Sequence, residues 1–127
     1  MNDFQTPLKK ARGWGAARTG TEHFVMQRLT ATALLLLGIW FCFFVVGLLG
    51  SDFATAREAV ARPWNAMLLV LFLVSMFWHA QLGLQVVLED YVHQSMLALL
   101  VQTTVRFIAI LGALISVFAV VRIALGV

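Results

Sequence analysis

LTATALLLLGIWFCFFVVGLL, residues 29–49, runs for 21 positions without a charged side chain. At a rise of about 1.5 Å per residue, such a run crosses a hydrocarbon core of about 30 Å. Residues 66–88 form a second uncharged run, and residues from about 100 to 125 form a third apolar run that includes two arginines. Backbone polar groups in lipid must be satisfied within the chain, and continuous runs do not fit the alternating pattern of a β-barrel. The predicted fold is an all-α integral membrane protein with three transmembrane helices, arranged up-down-up.

The composition supports this prediction. Of the 127 residues, 61% are hydrophobic and 12% charged, and the mean hydropathy is +0.91. Soluble domains contain about 45–50% apolar and about 25% charged residues, and a small one cannot bury so much apolar surface. The single cysteine, Cys42, excludes a disulfide framework and gives no support to a CxxC redox or zinc site.

The orientation in the membrane follows from the basic residues. The segment 1–28 is predicted to be a cytoplasmic N-terminal segment because it is rich in them (Lys9, Lys10, Arg12, Arg18 and Arg28). The first loop, with only Arg57 and Arg62, is then outside, and the second loop, with neither Lys nor Arg, is inside. We interpret the net charge of +3 as a signal that orients the chain in the membrane. The predicted partner is membrane lipid, and no nucleic acid is predicted to bind.

Shorter signals mark the ends of the spans. In GSDFATAREAVARPWN, residues 50–65, Ser51 or Asp52 is suited to cap a short interfacial turn, and Pro63 suits the first turn of the next helix. Arg106 and Arg122 bracket the uncharged part of the third span. Both side chains are expected to extend toward the two interfaces.

The second span ends in HAQLGLQVVLEDYVH, residues 79–93. His79 lies near the middle of that span, where a polar group is costly unless paired. Imidazole is a common haem ligand, and the alternative is a hydrogen bond to a neighbouring helix. Gly83, one turn on, leaves room for a flat macrocycle or for helix packing. At about 100° per residue, Asp90 falls within about 20° of His79 and His93 within about 40°. A second axial histidine would have to come from another chain.

Polar residues toward the cytoplasmic side suggest a second site. Asp90 and Tyr91 follow His79 by about 17 Å along the helix. They offer a proton and a hydrogen bond to a polar headgroup, or simply form a solvated helix end. Arg28 either extends to lipid phosphate or pairs with a buried carboxylate such as a haem propionate. His23 has no assignable role.

HFVMQRLTA (23–31) before the first span, together with HAQLGLQVVLEDYVH (79–93), resembles the small membrane-anchor subunit of succinate dehydrogenase. The resemblance implies a second three-helix cytochrome b anchor subunit, with a b-type haem between the two anchors. It also implies iron–sulfur and flavoprotein subunits docked on the cytoplasmic face of a bacterial inner membrane. Electrons from succinate would reduce ubiquinone where the anchors meet the iron–sulfur subunit, as part of the tricarboxylic acid cycle and respiratory chain.

The resemblance also assigns roles to residues. His79 corresponds to the haem axial ligand and Arg28 to the arginine near the haem propionates, while Asp90 and Tyr91 correspond to the acid and tyrosine of the quinone site. Gly83 is predicted to pack against the haem. This chain would be a subunit of the enzyme that does not itself oxidise succinate.

Three alternatives remain open. The first is an anchor of a quinol:fumarate reductase, which runs the reaction in reverse. The second is a non-redox membrane assembly protein in which His79 only bonds to a neighbouring helix. The third, a small transporter subunit, predicts broken helices around a polar site at mid-membrane, and the second span has no such interruption.

Overall fold

The structure, a computed structural model, describes residues 18–127 and the side chains of 21–127. This part of the chain contains four helices: α1 (Arg18–Gly47), α2 (Phe53–Ala61), α3 (Pro63–Tyr91) and α4 (Ser95–Leu125). Three stretches are long and apolar enough to cross a membrane: Thr21–Gly47, Pro63–Tyr91 and Ser95–Leu125. The predicted three-helix membrane fold is confirmed.

The helices and the predicted spans have different limits. α1 begins by Arg18, so the last part of the predicted N-terminal segment is already helical. Lys9, Lys10 and Arg12 lie outside the described residues. α1 ends at Gly47, and a turn follows in which the Leu48, Leu49 and Ser51 amides donate to carbonyls three residues earlier. Gly50 lies in this turn with φ of 80°, a conformation that favours glycine.

The short helix α2 begins at a side-chain cap. The Asp52 carboxylate accepts a hydrogen bond of 3.0 Å from the Thr55 amide. Of the two predicted candidates, Ser51 and Asp52, it is therefore Asp52 that caps the helix. Hydrogen bonds from the side chain and amide of Thr55 hold the pKa of the Asp52 carboxyl below its ordinary value. Pro63 then opens α3, as predicted, and Asn65 Nδ2 donates back to the Ala59 carbonyl at 2.8 Å.

The three long helices form a single layer with α3 in the middle. α3 packs against α1 on one side and α4 on the other, whereas α1 and α4 do not contact each other within residues 18–127. The three buried residues in the described chain, Ala66, Leu69 and Leu82, all belong to α3. Most side chains of α1 and α4 are exposed on the broad faces of this layer, which suits contact with lipid or with another membrane subunit.

Two contacts set the register of the antiparallel helices. The rings of Phe41 in α1 and Phe72 in α3 stack with their centroids 4.6 Å apart. In α4, Gly112 lies against Phe77 so closely that a Cβ at that position would be 2.6 Å from the Phe77 ring. Helix α3 is therefore held at fixed heights against both neighbours.

The end of α3 corrects one prediction. The helix stops at Tyr91, and Val92 is extended, with φ of −105° and ψ of 95°. His93 lies in the three-residue link to α4, so its predicted place on the helical face of His79 is wrong. Asp90 remains in the helix, and its alignment with His79 holds for the backbone.

Candidate functional site

His79 is half-buried in α3 and bonds to the neighbouring helix α1. Its Nδ1 atom lies 3.0 Å from the Thr30 hydroxyl oxygen. The same hydroxyl lies 2.8 Å from the Met26 carbonyl oxygen, one turn earlier in α1, and 3.1 Å from that of Gln27. The bond to a neighbouring helix that the sequence left as an alternative is therefore present, but it uses only one of the two ring nitrogens.

The second ring nitrogen of His79 is available for another partner. Within the described chain, the ring makes its hydrogen bond through Nδ1, and none is formed by Nε2. One turn further on, a Cβ at Gly83 would meet no atom within 4 Å. An unpaired imidazole nitrogen beside open space on the same helical face fits the binding of a flat macrocycle with a nitrogen-ligated iron.

His79 would be a single ligand from this chain. Among residues 18–127, no group of three or more His, Cys, Asp or Glu side chains is placed to hold a metal ion. Cys42 is a free, exposed cysteine in α1 and takes no part in this arrangement.

The structure does not bring Arg28 into contact with His79. Arg28 is exposed, and its guanidinium carbon lies 5.0 Å from the centroid of the Phe24 ring. Arg28 precedes Thr30 by two residues, which turns it about 200° around α1 and moves it about 3 Å along the helix axis. It therefore lies close to the height of His79, on a different side of α1 from the contact with α3.

Arg106 lies in α4, on the other side of α3 from Arg28, at a height similar to that of Arg28. It precedes Gly112 by six residues, about 9 Å toward the second loop, which places it near the height of Gly83. Its side chain is exposed and makes no hydrogen bond within the described residues. At the far end of α4, Arg122 Nε donates to the Val127 carbonyl at 3.0 Å.

Asp90 and Tyr91 are the last two residues of α3 and are both exposed, Tyr91 to 80% of its surface. In the part of the chain that the structure describes, neither side chain forms a hydrogen bond or ion pair, whereas the neighbouring Glu89 accepts one of 2.9 Å from Gln85. Successive residues differ by about 100° around the helix. A carboxylate and a phenol are thus both available at this end of the layer, pointing in different directions.

The sequence assigned no role to two polar residues of α1, Thr30 and His23. Thr30 was missed because the first span contains two threonines, and the sequence does not show which faces α3. A hydroxyl in an apolar span signals a cross-helix bond only in general terms. His23, one of the residues without an assigned role, has a buried Nε2 atom that finds no partner among the described residues.

Comparison with known proteins places the chain in a family. The family described as succinate dehydrogenase/fumarate reductase transmembrane subunit matches residues 2–121. A succinate dehydrogenase hydrophobic membrane anchor subunit of Rickettsia bellii is 32% identical over 118 residues, which are 93% of this chain and 94% of the relative. The protein of the same description from Paracoccus denitrificans is 28% identical over 122 residues, 95% of this chain and 93% of the relative.

These matches run through all three membrane helices. They include both stretches that carried the resemblance, before the first span and at the end of the second. The chain is therefore a multi-pass membrane protein, and it belongs to the family of succinate dehydrogenase hydrophobic membrane anchor subunits.

Proposed function

We propose that this chain is the small membrane anchor of a succinate:ubiquinone oxidoreductase. It attaches a flavoprotein and an iron–sulfur subunit to the membrane and pairs with a second cytochrome b anchor subunit. With that partner it holds haem b and forms part of the ubiquinone site. The observation that carries the proposal is His79, whose Nδ1 is bonded to α1 while Nε2 is unpaired beside the open space at Gly83.

The haem site uses residues near one height of the layer. His79 Nε2 would hold the haem iron, and Gly83 would let the macrocycle lie against α3. Arg28, close in height to His79, would pair with a propionate by extending its long side chain around α1. When bound, the haem supplies a one-electron carrier within the membrane.

The partner anchor would cover a face of the layer. Of the three membrane helices, only α3 contacts both of the others, and the described chain has two unpaired histidine nitrogens in its spans. His79 Nε2 lies near mid-span, whereas His23 Nε2 lies seven residues before Thr30 in α1, about 10 Å nearer the N-terminal end of that helix. A second histidine that holds the haem at the height of His79 would come from the partner subunit, which fits a haem between two three-helix subunits.

The quinone site would lie at the end of α3. The Tyr91 phenol donates a hydrogen bond to a quinone carbonyl oxygen, which stabilises negative charge as electrons arrive. Reduction of ubiquinone to ubiquinol takes two electrons and two protons, and the exposed Asp90 carboxylate is placed to carry protons from the aqueous side. By the positive-inside rule, the basic residues of the N-terminal segment favour a cytoplasmic location for this end, where the soluble subunits would dock on a bacterial inner membrane.

The quinol:fumarate reductase anchor is a weaker candidate. The family description covers both enzymes, but the relatives of Rickettsia bellii and Paracoccus denitrificans are described as anchors of succinate dehydrogenase. We therefore propose succinate oxidation with ubiquinone as the acceptor.

The haem ligand is tested with a His79→Ala variant in the complete complex. We expect the variant complex to lose its b-type absorption spectrum, because a haem iron deprived of its ligand from this chain is bound poorly. His93→Ala is the matched control, since His93 lies outside the helix and should leave the spectrum unchanged. A normal haem spectrum in the purified His79→Ala complex would show that His79 is not the ligand.

The quinone site is tested with Tyr91→Phe, which removes only the phenolic oxygen. A hydrogen bond to a charged group contributes about 1.5–3 kcal/mol, so we expect succinate:quinone reductase activity to fall about 10- to 100-fold. Succinate oxidation with an artificial acceptor for the flavin should stay at the wild-type rate. Unchanged quinone reduction would remove Tyr91 from the site.

A further inference from the structure

We propose that Thr30 is the positioning residue for His79. In this assignment, the Thr30 hydroxyl accepts a hydrogen bond from His79 Nδ1–H, which keeps the lone pair on Nε2 and fixes the direction of the ring. The inference rests on the proposed function only in naming haem iron as the partner of Nε2. Its basis is the arrangement of polar atoms around one hydroxyl group in α1.

The direction of the Thr30–His79 bond follows from the atoms around the hydroxyl. A threonine hydroxyl has one proton to donate and two lone pairs to accept. The Met26 carbonyl oxygen, at 2.8 Å, can only accept. If the Thr30 proton pointed at His79 instead, two oxygen atoms would face each other at 2.8 Å without a proton between them. The hydroxyl therefore donates to Met26, and its lone pairs accept from Nδ1–H at 3.0 Å.

This direction selects one of the two neutral forms of the imidazole. With the proton on Nδ1, Nε2 carries the lone pair that a metal ligand needs. Histidines that bind metals commonly donate their other N–H to an oxygen, which orients the ring and increases its basicity. A neutral hydroxyl in an apolar span supplies such an acceptor without the cost of burying a carboxylate.

The contact also fixes where the ring sits. The Thr30 side chain is β-branched, with few favourable χ1 rotamers in a helix, and its back-bond to α1 restricts it further. His79 is thus tied to a rigid group on the neighbouring helix. Thr32, two residues on, shows the contrast: it is exposed, and its hydroxyl donates to the Arg28 carbonyl at 2.9 Å but forms no hydrogen bond to a neighbouring helix in the described structure.

The experiment compares Thr30→Val, Thr30→Ser and Thr32→Val in the complete four-subunit complex. Valine matches threonine in shape but cannot accept a hydrogen bond, serine keeps the hydroxyl, and Thr32→Val removes an equivalent back-bonded hydroxyl that does not contact His79. Assembly is measured by co-purification of the soluble subunits. The haem is followed by its content, its midpoint potential and the g values of its ferric EPR signal.

We expect Thr30→Val to assemble and to shift the haem midpoint potential to more positive values, because a less basic ligand stabilises ferric iron less. A tenfold decrease in the preference of the ligand for ferric over ferrous iron corresponds to a shift of about 59 mV for a one-electron couple. The EPR g values should also change as the ring loses its orientation. Loss of haem from an assembled Thr30→Val complex would equally support the assignment. Thr30→Ser and Thr32→Val should match the wild type.

Other outcomes overturn the inference. An unchanged potential and EPR signal in Thr30→Val would show that the hydroxyl does not position the ligand. The same holds if Thr32→Val shifts the signals as much, or if Thr30→Val fails to assemble while Thr30→Ser assembles, which would indicate a role in folding alone. The His79→Ala variant separates this result from the proposed function: if that variant lacks the haem signal while Thr30→Val is normal, only the role of Thr30 fails.

Discussion

Helix α3 makes two different contacts with its neighbours. Against α1 it places a polar pair, His79 and Thr30, in the same antiparallel contact as the stacked rings of Phe41 and Phe72. Against α4 it places Phe77 directly on Gly112, in a contact that is apolar and leaves no room for a Cβ. The α1 contact orients a chemical group, whereas the α4 contact fills space.

The two sides of α3 therefore have different roles, one in helix packing and one in holding a polar group. Without a strong hydrophobic drive between helices in lipid, close packing at small residues supplies much of the association. The α4 side provides that packing at Gly112. The α1 side is then able to keep a histidine nitrogen unpaired, since the helices do not depend on that atom for cohesion.

Of the substitutions that test the difference between the two contacts of α3, Gly83→Leu is expected to have the largest effect. Within this chain a Cβ at Gly83 meets nothing within 4 Å, so the three helices should tolerate the leucine. The side chain would fill the space beside His79, and we expect haem content in the assembled complex to fall at least tenfold, a loss typical of disturbed metal surroundings.

Gly47→Leu is the matched control for this substitution. Gly47 also has nothing within 4 Å of an added Cβ, and it lies at the opposite end of α1 from Arg18. Its haem content should equal that of the wild type. Full haem occupancy in Gly83→Leu would argue that the open space beside His79 is not the haem site.

The next effect concerns the α4 side. Gly112→Ala puts a Cβ 2.6 Å from the Phe77 ring, so the ring or the helix must shift. Overpacking of this kind costs about 1–3 kcal/mol, and we expect the thermal inactivation temperature of the complex to fall. The haem spectrum of the intact fraction should not change, because His79 is bonded to the other side of α3.

Ser116→Ala serves as the control on the same helix. It removes a hydroxyl that donates to the Gly112 carbonyl at 2.7 Å but adds no atom against α3. Its inactivation temperature should stay close to that of the wild type. A changed haem spectrum in Gly112→Ala would mean that the two contacts of α3 are coupled after all.

The smallest effect is expected at the cap of α2, outside both contacts. The lowered pKa of Asp52 means that its charged form is favoured by the fold, so the cap contributes stability above the ordinary value of 3.8 and loses it as the pH falls through the lower folded value. Asp52→Asn should remove this dependence and leave haem and quinone reduction unchanged. Circular dichroism of the chain in detergent below the ordinary pKa is the measurement, and an equal acid response in both proteins would contradict the assignment.

The membrane helices were predictable because each depends on its own composition. A long uncharged run needs no knowledge of its neighbours, and the cap at Asp52 and the start at Pro63 are likewise local signals. The end of α3 was not predictable, since EDYVHQS contains no glycine or proline to mark it. The bond between Thr30 and His79 depends on how two helices face each other across the layer, which a single sequence does not encode in any local pattern.

The candidate site shows the same limit. His79 stands out because a polar group in an apolar run is unusual wherever the other helices lie. Arg28 was assigned by resemblance, and the structure adds that it projects from a different side of α1 than Thr30. Tyr91 and Asp90 are exposed at the end of α3, as their sequence position implied, and the proposed quinone site would need surface from other chains to be complete.

The single-layer arrangement has a consequence for biosynthesis. Because α1 contacts α3 and α3 contacts α4, with no contact between α1 and α4 in residues 18–127, each new membrane helix packs on the one inserted before it. Proteins emerge from the ribosome N-terminus first, and contacts between neighbours in sequence form fastest. The Thr30–His79 pair can thus close as soon as α3 enters the membrane, which prepares the histidine before the last helix has been made.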